Sequence, residues 1–180
     1  MKYTTILAIA ACCSLTLISC QEKSAPEASE AEAEMTESSV EMVILKSSPE
    51  NAKSIAEART SPTPGESITI MGKVIGSKTP FVEGRAMVLL GDPEKLISCD
   101  LNPSDSCHTP WDVCCDDHDD IKNFTATIQV LDENGKLLKQ GLKGVHGIKE
   151  LSHLVITGTV AEGSNADNLL INATGIYVQP

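Results

Sequence analysis

Residues 124–132, FTATIQVLD, alternate apolar and polar side chains: Phe124, Ala126, Ile128 and Val130 fall on one side, Thr125, Thr127 and Gln129 on the other. A period of two is the spacing of a β-strand with one buried and one wet face. The same spacing recurs in short runs to the C-terminus. ESITIMGKVIG (66–76) places Ile68, Ile70 and Val74 on one face if Gly72 does not break the alternation, and a glycine there predicts a bulge or bend. GRAMVLLGD (84–92) sets Ala86, Val88 and Leu90 against Met87 and Leu89, and LVITGTVAE (154–162) and NLLINATGIYVQ (168–179) complete five strands. Asp132-Glu133-Asn134-Gly135 is a hairpin-type turn. SPENAKSIAEAR (48–59) predicts a short helix with Ser48 as cap and Pro49 in its first turn, and 142–153 predicts another.

The order strand, strand, strand, short helix, strand, strand is that of an all-β, five-stranded OB-fold-like barrel, with a small open sandwich as the alternative. Gly72, Gly158 and Gly175 fall where tight curvature is needed. In this reading residues 92–122 are an insertion between strands two and three, cysteine-rich over 99–120. From Ser67 to Val178, ITIMGKV, LVITGTV and LLINATGIYV resemble bacterial extracytoplasmic OB-fold domains. PFVEGRA (80–86), TPWDVCC (109–115) and KELSHLVITGTV (149–160) resemble an uncharacterised group of bacterial lipoproteins of the same layout. That resemblance implies an extracytoplasmic lipoprotein and brings no activity, catalytic residue or ligand.

The N-terminus agrees. Lys2, an apolar run from Ile6 to Ile18 and then Leu17-Ile18-Ser19-Cys20 describe a signal peptide over 1–19. The Leu-x-Ser-Cys pattern resembles bacterial lipoprotein signals, which implies diacylglycerol on the Cys20 thiol and a lipid anchor on the extracytoplasmic side of the cell envelope. Gln21 in place of Asp favours the outer membrane in a cell with two membranes. An acyl anchor attaches without spanning, each buried methylene contributing about 0.8 kcal/mol. Residues 20–46 then read as the lipidated cysteine and a disordered acidic tether, and 47–180 as the folded domain.

The chain carries a net charge of −11, with seven acidic residues between Glu22 and Glu41 and seven aspartates between Asp100 and Asp120. No basic groove for nucleic acid follows from such a distribution.

After Cys20, the remaining cysteines of the mature chain are Cys99, Cys107, Cys114 and Cys115, all in the insertion. An even number in an exported chain predicts two disulfides. Neighbouring Cys114 and Cys115 are too close to bond to one another without strain, so Cys99 and Cys107 each take one of them, in an order the sequence leaves open. Trp111 then covers the disulfides or forms a binding tip. A second reading makes Cys99, Cys107, Cys114, Cys115, His108 and His118 ligands for zinc or copper, although the spacing lacks paired C-x2-C knuckles. The run Asp116-Asp117-His118-Asp119-Asp120 lacks the spaced ligands of a calcium loop and reads as a solvated face.

No nucleophile elbow, no H-E-x-x-H and no C-x-x-C is present. The expectation is therefore a non-catalytic binding or structural module without a cofactor, anchored to the membrane and contacting an envelope protein or glycan. Phe81, Arg85, Trp111 and Asp112 are its candidate binding residues. A zinc- or copper-binding protein is the alternative.

Overall fold

The computed structural model describes residues 38–102 and 107–180. The signal peptide, Cys20, the tether up to residue 37 and residues 103–106 of the insertion lie outside the described residues. Five strands run β1 (Ser67–Lys73), β2 (Met87–Gly91), β3 (Thr125–Gln129), β4 (His153–Val160) and β5 (Leu169–Val178). They close into a barrel in the order β1-β2-β3-β5-β4, with β3 and β5 parallel and the other neighbours antiparallel. This is the OB-fold-like barrel that the alternation predicts, not the open sandwich. Among the described residues no helix is long and apolar enough to cross a membrane.

The two-residue period places the core. Ile70 and Val74 from β1 and its continuation, Val88 and Leu90 from β2, and Ala126, Ile128 and Val130 from β3 pack together with Leu154, Ile156, Leu169 and Ile171. Each fully buried side chain of this size contributes about 1.5–3 kcal/mol relative to exposure. In β5 the buried set changes phase, from Leu169, Ile171 and Ala173 to Ile176. The cause is a bulge: Gly158 pairs with Ala173 and Thr157 with Gly175, so Thr174 is the extra residue and everything after it turns over. Gly158 is required at that bulge, because a Cβ there would run into the backbone carbonyl of Asn172.

Among the described residues three α-helices occur, all short: α1 (Ser38–Glu41), α2 (Ile55–Ala58) and α3 (His118–Asn123). The helix expected over 48–59 shrinks to α2. Asn51 adopts φ 57°, in the left-handed region, and Lys53 forms a parallel bridge with Ile70. The cap is Ser54 rather than Ser48: its hydroxyl accepts from the Glu57 amide at 3.2 Å while the Glu57 carboxylate accepts from the Ser54 amide at 2.8 Å. That reciprocal pair satisfies two of the donors a helix start leaves open. The second expected helix, 142–153, is a single 3-10 turn over Val145–Gly147. Asp132–Gly135 forms the expected turn, with Gly135 donating to the Asp132 carbonyl at 2.9 Å and Leu131 facing Leu137.

The tether boundary also moves. Val40 is fully buried, Ile44 bridges Ile176, and Leu45 donates to the Ile176 carbonyl at 2.8 Å. Residues from 38 onward therefore belong to the folded body, because Val40, Val43 and Ile44 pack against the core.

Candidate functional site: the loop between β2 and β3

The loop leaves β2 at Asp92, which is 1% exposed. Its two carboxylate oxygens accept from the amides of Glu94 and Ala56 at 3.0 and 2.9 Å, joining the loop's start to α2. Beyond it, Leu96 and Val113 pack with Ile75 into a second apolar cluster, bordered by Trp111, Ile121, Phe124 and Leu151. Phe124 thus belongs to this cluster and not to the main core, where its place in the alternation would have put it. The loop has its own small core over the outer side of the barrel.

That cover explains Lys73. On the alternation of β1 its side chain points away from the barrel interior, yet the residue is only 7% exposed because the loop lies over it. Its ammonium donates to Ser98 Oγ at 2.9 Å and forms an ion pair with Asp100 at 3.3 Å, and Ser98 Oγ also bonds Asp100. A serine beside a lysine has the form of a nucleophile and its base, but Ser98 is wholly buried and the ammonium is neutralised by Asp100. The triad clamps the loop to the barrel. Sequence reasoning missed it; the available signal was a lone charged residue between Gly72 and Val74 in the strand SITIMGK.

Cys99 lies between the two clamped residues, in a 3-10 turn over Cys99–Leu101. Its amide donates to the Asp112 carbonyl at 2.9 Å, and Asp100 to the Pro110 carbonyl at 2.8 Å. Those bonds bring the segment before Cys114 alongside Cys99. Cys99 Sγ stands 3.8 Å from Cys114 Sγ, and Cys114 Sγ stands 3.9 Å from Cys107 Sγ. All three sulfurs lie within 4.8 Å of one another. Cys107 Sγ is also 3.2 Å from the Thr109 hydroxyl. Hydrogen bonds to Thr109, side chain first and then backbone, hold the Cys107 thiol below its ordinary pKa.

None of these separations is the roughly 2.05 Å of an S–S bond. The two-disulfide staple expected from the sequence is therefore not formed in this structure, and the cysteines do not fall into two pairs. Cys114 contacts both Cys99 and Cys107, while Cys115, at the next position, is outside the gathered set. His108 and His118, expected beside the thiols as metal ligands, are likewise outside it among the described residues.

The acidic run has a local role. Asp117 caps α3 by accepting from the Asp119 amide, and Asp119 and Asp120 stand in its first turn, where negative charge complements the helix dipole. Trp111 is half-buried and donates Nε1–H to the Lys78 carbonyl at 2.9 Å, fastening the loop to the β1–β2 connection. Asp112 accepts from the Val113 amide at 2.9 Å. Both candidate binding residues are thus engaged in holding the loop's shape.

Phe81 and Arg85 lie elsewhere. Phe81 bridges to Val88 and lines a cleft with Val82, Gly84, Leu142 and Lys143, whose ammonium is 5.9 Å from the ring centre. Arg85 is exposed and donates to the Gly84 carbonyl. The large apolar side chains shown to solvent by the loop are Ile97, 58% exposed, and Leu101, 62% exposed, one on each side of Cys99. Comparison of the chain with protein-family models, with curated proteins and with solved structures finds no match, so its function is argued from this geometry alone.

Proposed function

We propose that this chain is a lipid-anchored binding module of the bacterial cell envelope and not an enzyme, with the loop between β2 and β3 as its contact element for an envelope protein or glycan. The N-terminal Leu-Ile-Ser-Cys supports the anchor at Cys20. One observation carries the choice of the loop. It is ordered by a core of its own and by the Lys73 clamp, yet it turns Ile97 and Leu101 outward. Pre-ordered apolar side chains lose little entropy on contact, which is what a binding tip requires. The seven aspartates in the sequence from 100 to 120 disfavour phosphate-rich ligands.

Export to an oxidising compartment makes a disulfide the competing state of the sulfur cluster, with Cys114 joined to either Cys99 or Cys107. Either bond would close a short loop and remove about 2–3 kcal/mol of unfolded-state freedom.

Photo-crosslinking in intact cells tests the reading. A photoreactive residue at Leu101 is expected to give discrete adducts that disappear in an Ile97→Ser background, while the same residue at Glu133, on the exposed hairpin turn, gives none of them. Identical adducts from both positions would remove the loop as the contact element. Cys20→Ser is expected to abolish incorporation of labelled fatty acid and to release the chain from the membrane fraction.

A further inference from the structure

We infer that Cys99, Cys107 and Cys114 together form a binding site for one thiophilic metal ion, Zn2+ or Cu+. The inference rests on the loop being the part of the chain that binds, and it names what the loop holds.

Three observations point the same way. The first is distance. Two sulfurs each about 2.3 Å from a tetrahedral ion stand about 3.8 Å apart, and the structure holds Cys99 and Cys107 at 3.8 and 3.9 Å from Cys114. The second is number. A disulfide uses two sulfurs, and a staple of this loop would use four in pairs, whereas three are gathered around one point. Cys114 cannot bond to both neighbours, but a metal ion can accept all three thiolates at once.

The third is pre-organisation. Cys99 is fixed from both sides by the Lys73 contacts to Ser98 and Asp100, and it is joined by its backbone to Asp112, two residues before Cys114. Val113, fully buried, anchors the intervening position. Cys107 is held in turn by its contacts to Thr109, so the ligands do not have to be collected from a flexible loop when the ion arrives.

Sulfur alone as donor selects soft, d10 ions over magnesium or calcium. Three thiolates complete a trigonal site for Cu+, and for Zn2+ they leave one tetrahedral position for water or a group from a partner. Binding is a simple exchange: three S–H bonds break, three S–metal bonds form, three protons pass to solvent and no electron moves.

The test uses the full mature chain extracted from membranes, reduced and kept free of oxygen. Zn2+ and Cu+ are titrated separately in competition with chromophoric chelators, and Co2+ is added as a spectroscopic substitute for zinc. One ion per chain is expected, with a sulfur-to-cobalt charge-transfer band. Cys99→Ser, Cys107→Ser and Cys114→Ser should each weaken binding by about 100-fold or more, and Cys115→Ser should leave it within about threefold. The unmutated chain supplies a check that does not depend on the folding of variants: bound ion should protect three thiols from alkylation and leave Cys115 reactive. Tighter competition by one ion identifies which of the two the site takes. Absence of stoichiometric binding by the reduced chain, equal loss on Cys115→Ser, or a chain whose sulfurs bind metal only after unfolding would each overturn the site. Loss of the Leu101 crosslinks with metal binding intact would instead overturn the partner-binding reading alone.

Discussion

Lys73, the last residue of β1, holds Asp100 in a 3.3 Å ion pair across the junction between the barrel and its loop. The lysine side chain is 9% exposed and the aspartate 29%. Removing the lysine leaves Asp100 as a poorly solvated, unpaired charge, while the Ser98 hydroxyl keeps its bond to Asp100 and loses the one it accepts from the ammonium. Lys73→Met is therefore expected to cost on the order of 1–3 kcal/mol, less than a fully buried pair because water still reaches Asp100. Urea denaturation measures the cost. Limited proteolysis locates it, with new cleavage expected inside 92–122 and none in β3 to β5. The double variant Lys73→Met, Asp100→Asn should recover part of the loss; a cleavage pattern unchanged from the parent would mean that the pair does not hold the loop.

The docking of Val40 carries a second prediction. Its side chain is completely buried in the main core, at a place where the composition of the preceding residues suggests only a tether. Val40→Ala removes about two buried methylene equivalents and is expected to cost about 1–3 kcal/mol. A chain beginning at residue 47 should unfold at lower denaturant than one beginning at residue 38. Equal midpoints for the two would place the domain boundary after Lys46 again.

Gly158 is the position least tolerant of a side chain. The bulge opposite Thr174 brings the Asn172 carbonyl against it, and neither backbone can retreat without breaking the β4–β5 ladder. Gly158→Ala should destabilise by about 3 kcal/mol or more, or prevent folding. Gly163→Ala serves as the control, since the nearest heavy atom there is a Leu170 methyl at 3.7 Å and its effect should be a few tenths of a kcal/mol. Comparable losses from both would show that the bulge is not the tight point.

The strands were legible because one buried and one wet face impose a period of two, and that period is in the sequence for β3 without interruption, whereas β2, MVLLG, is a continuous apolar run that alternates only in burial. The closing order of the barrel was legible through the order of elements alone. Three things were hidden, each for a physical reason. Helix propensity over 48–59 lost to the pairing of Lys53 with Ile70, a contact 17 residues away along the chain that no local window contains. Phe124 matched the alternation of β3 yet packs under the loop, since burial by an insertion falls on the outer face as readily as on the inner one. The cysteines gave their location but not their grouping. Which three of four meet depends on the backbone bonds from Cys99 to Asp112 and from Asp100 to Pro110, and spacing does not encode those.

His153 lies directly opposite Lys73 in the β1–β4 pairing. Partial burial of the imidazole, and then repulsion by the Lys73 ammonium, lower its pKa, with the Asp100 carboxylate opposing them. The folded chain therefore takes up this proton less readily than the unfolded chain, whose histidine titrates near pH 6.5. The stability associated with neutral His153 is complete above about pH 6.5 and declines as pH falls below it, down to the lowered folded value. Because the residue is largely exposed the effect is small, and it is best read on the residue itself. An NMR titration of the imidazole carbons should give a midpoint below the ordinary histidine value of about 6.5. In Lys73→Met the repulsion is gone while Asp100 stays, so the His153 midpoint should move upward. In His153→Asn the denaturation midpoint should fall less than in the parent as pH drops below about 6.5. A His153 midpoint that does not respond to Lys73→Met would show that the charge clamped under the loop is not felt across the strand pair.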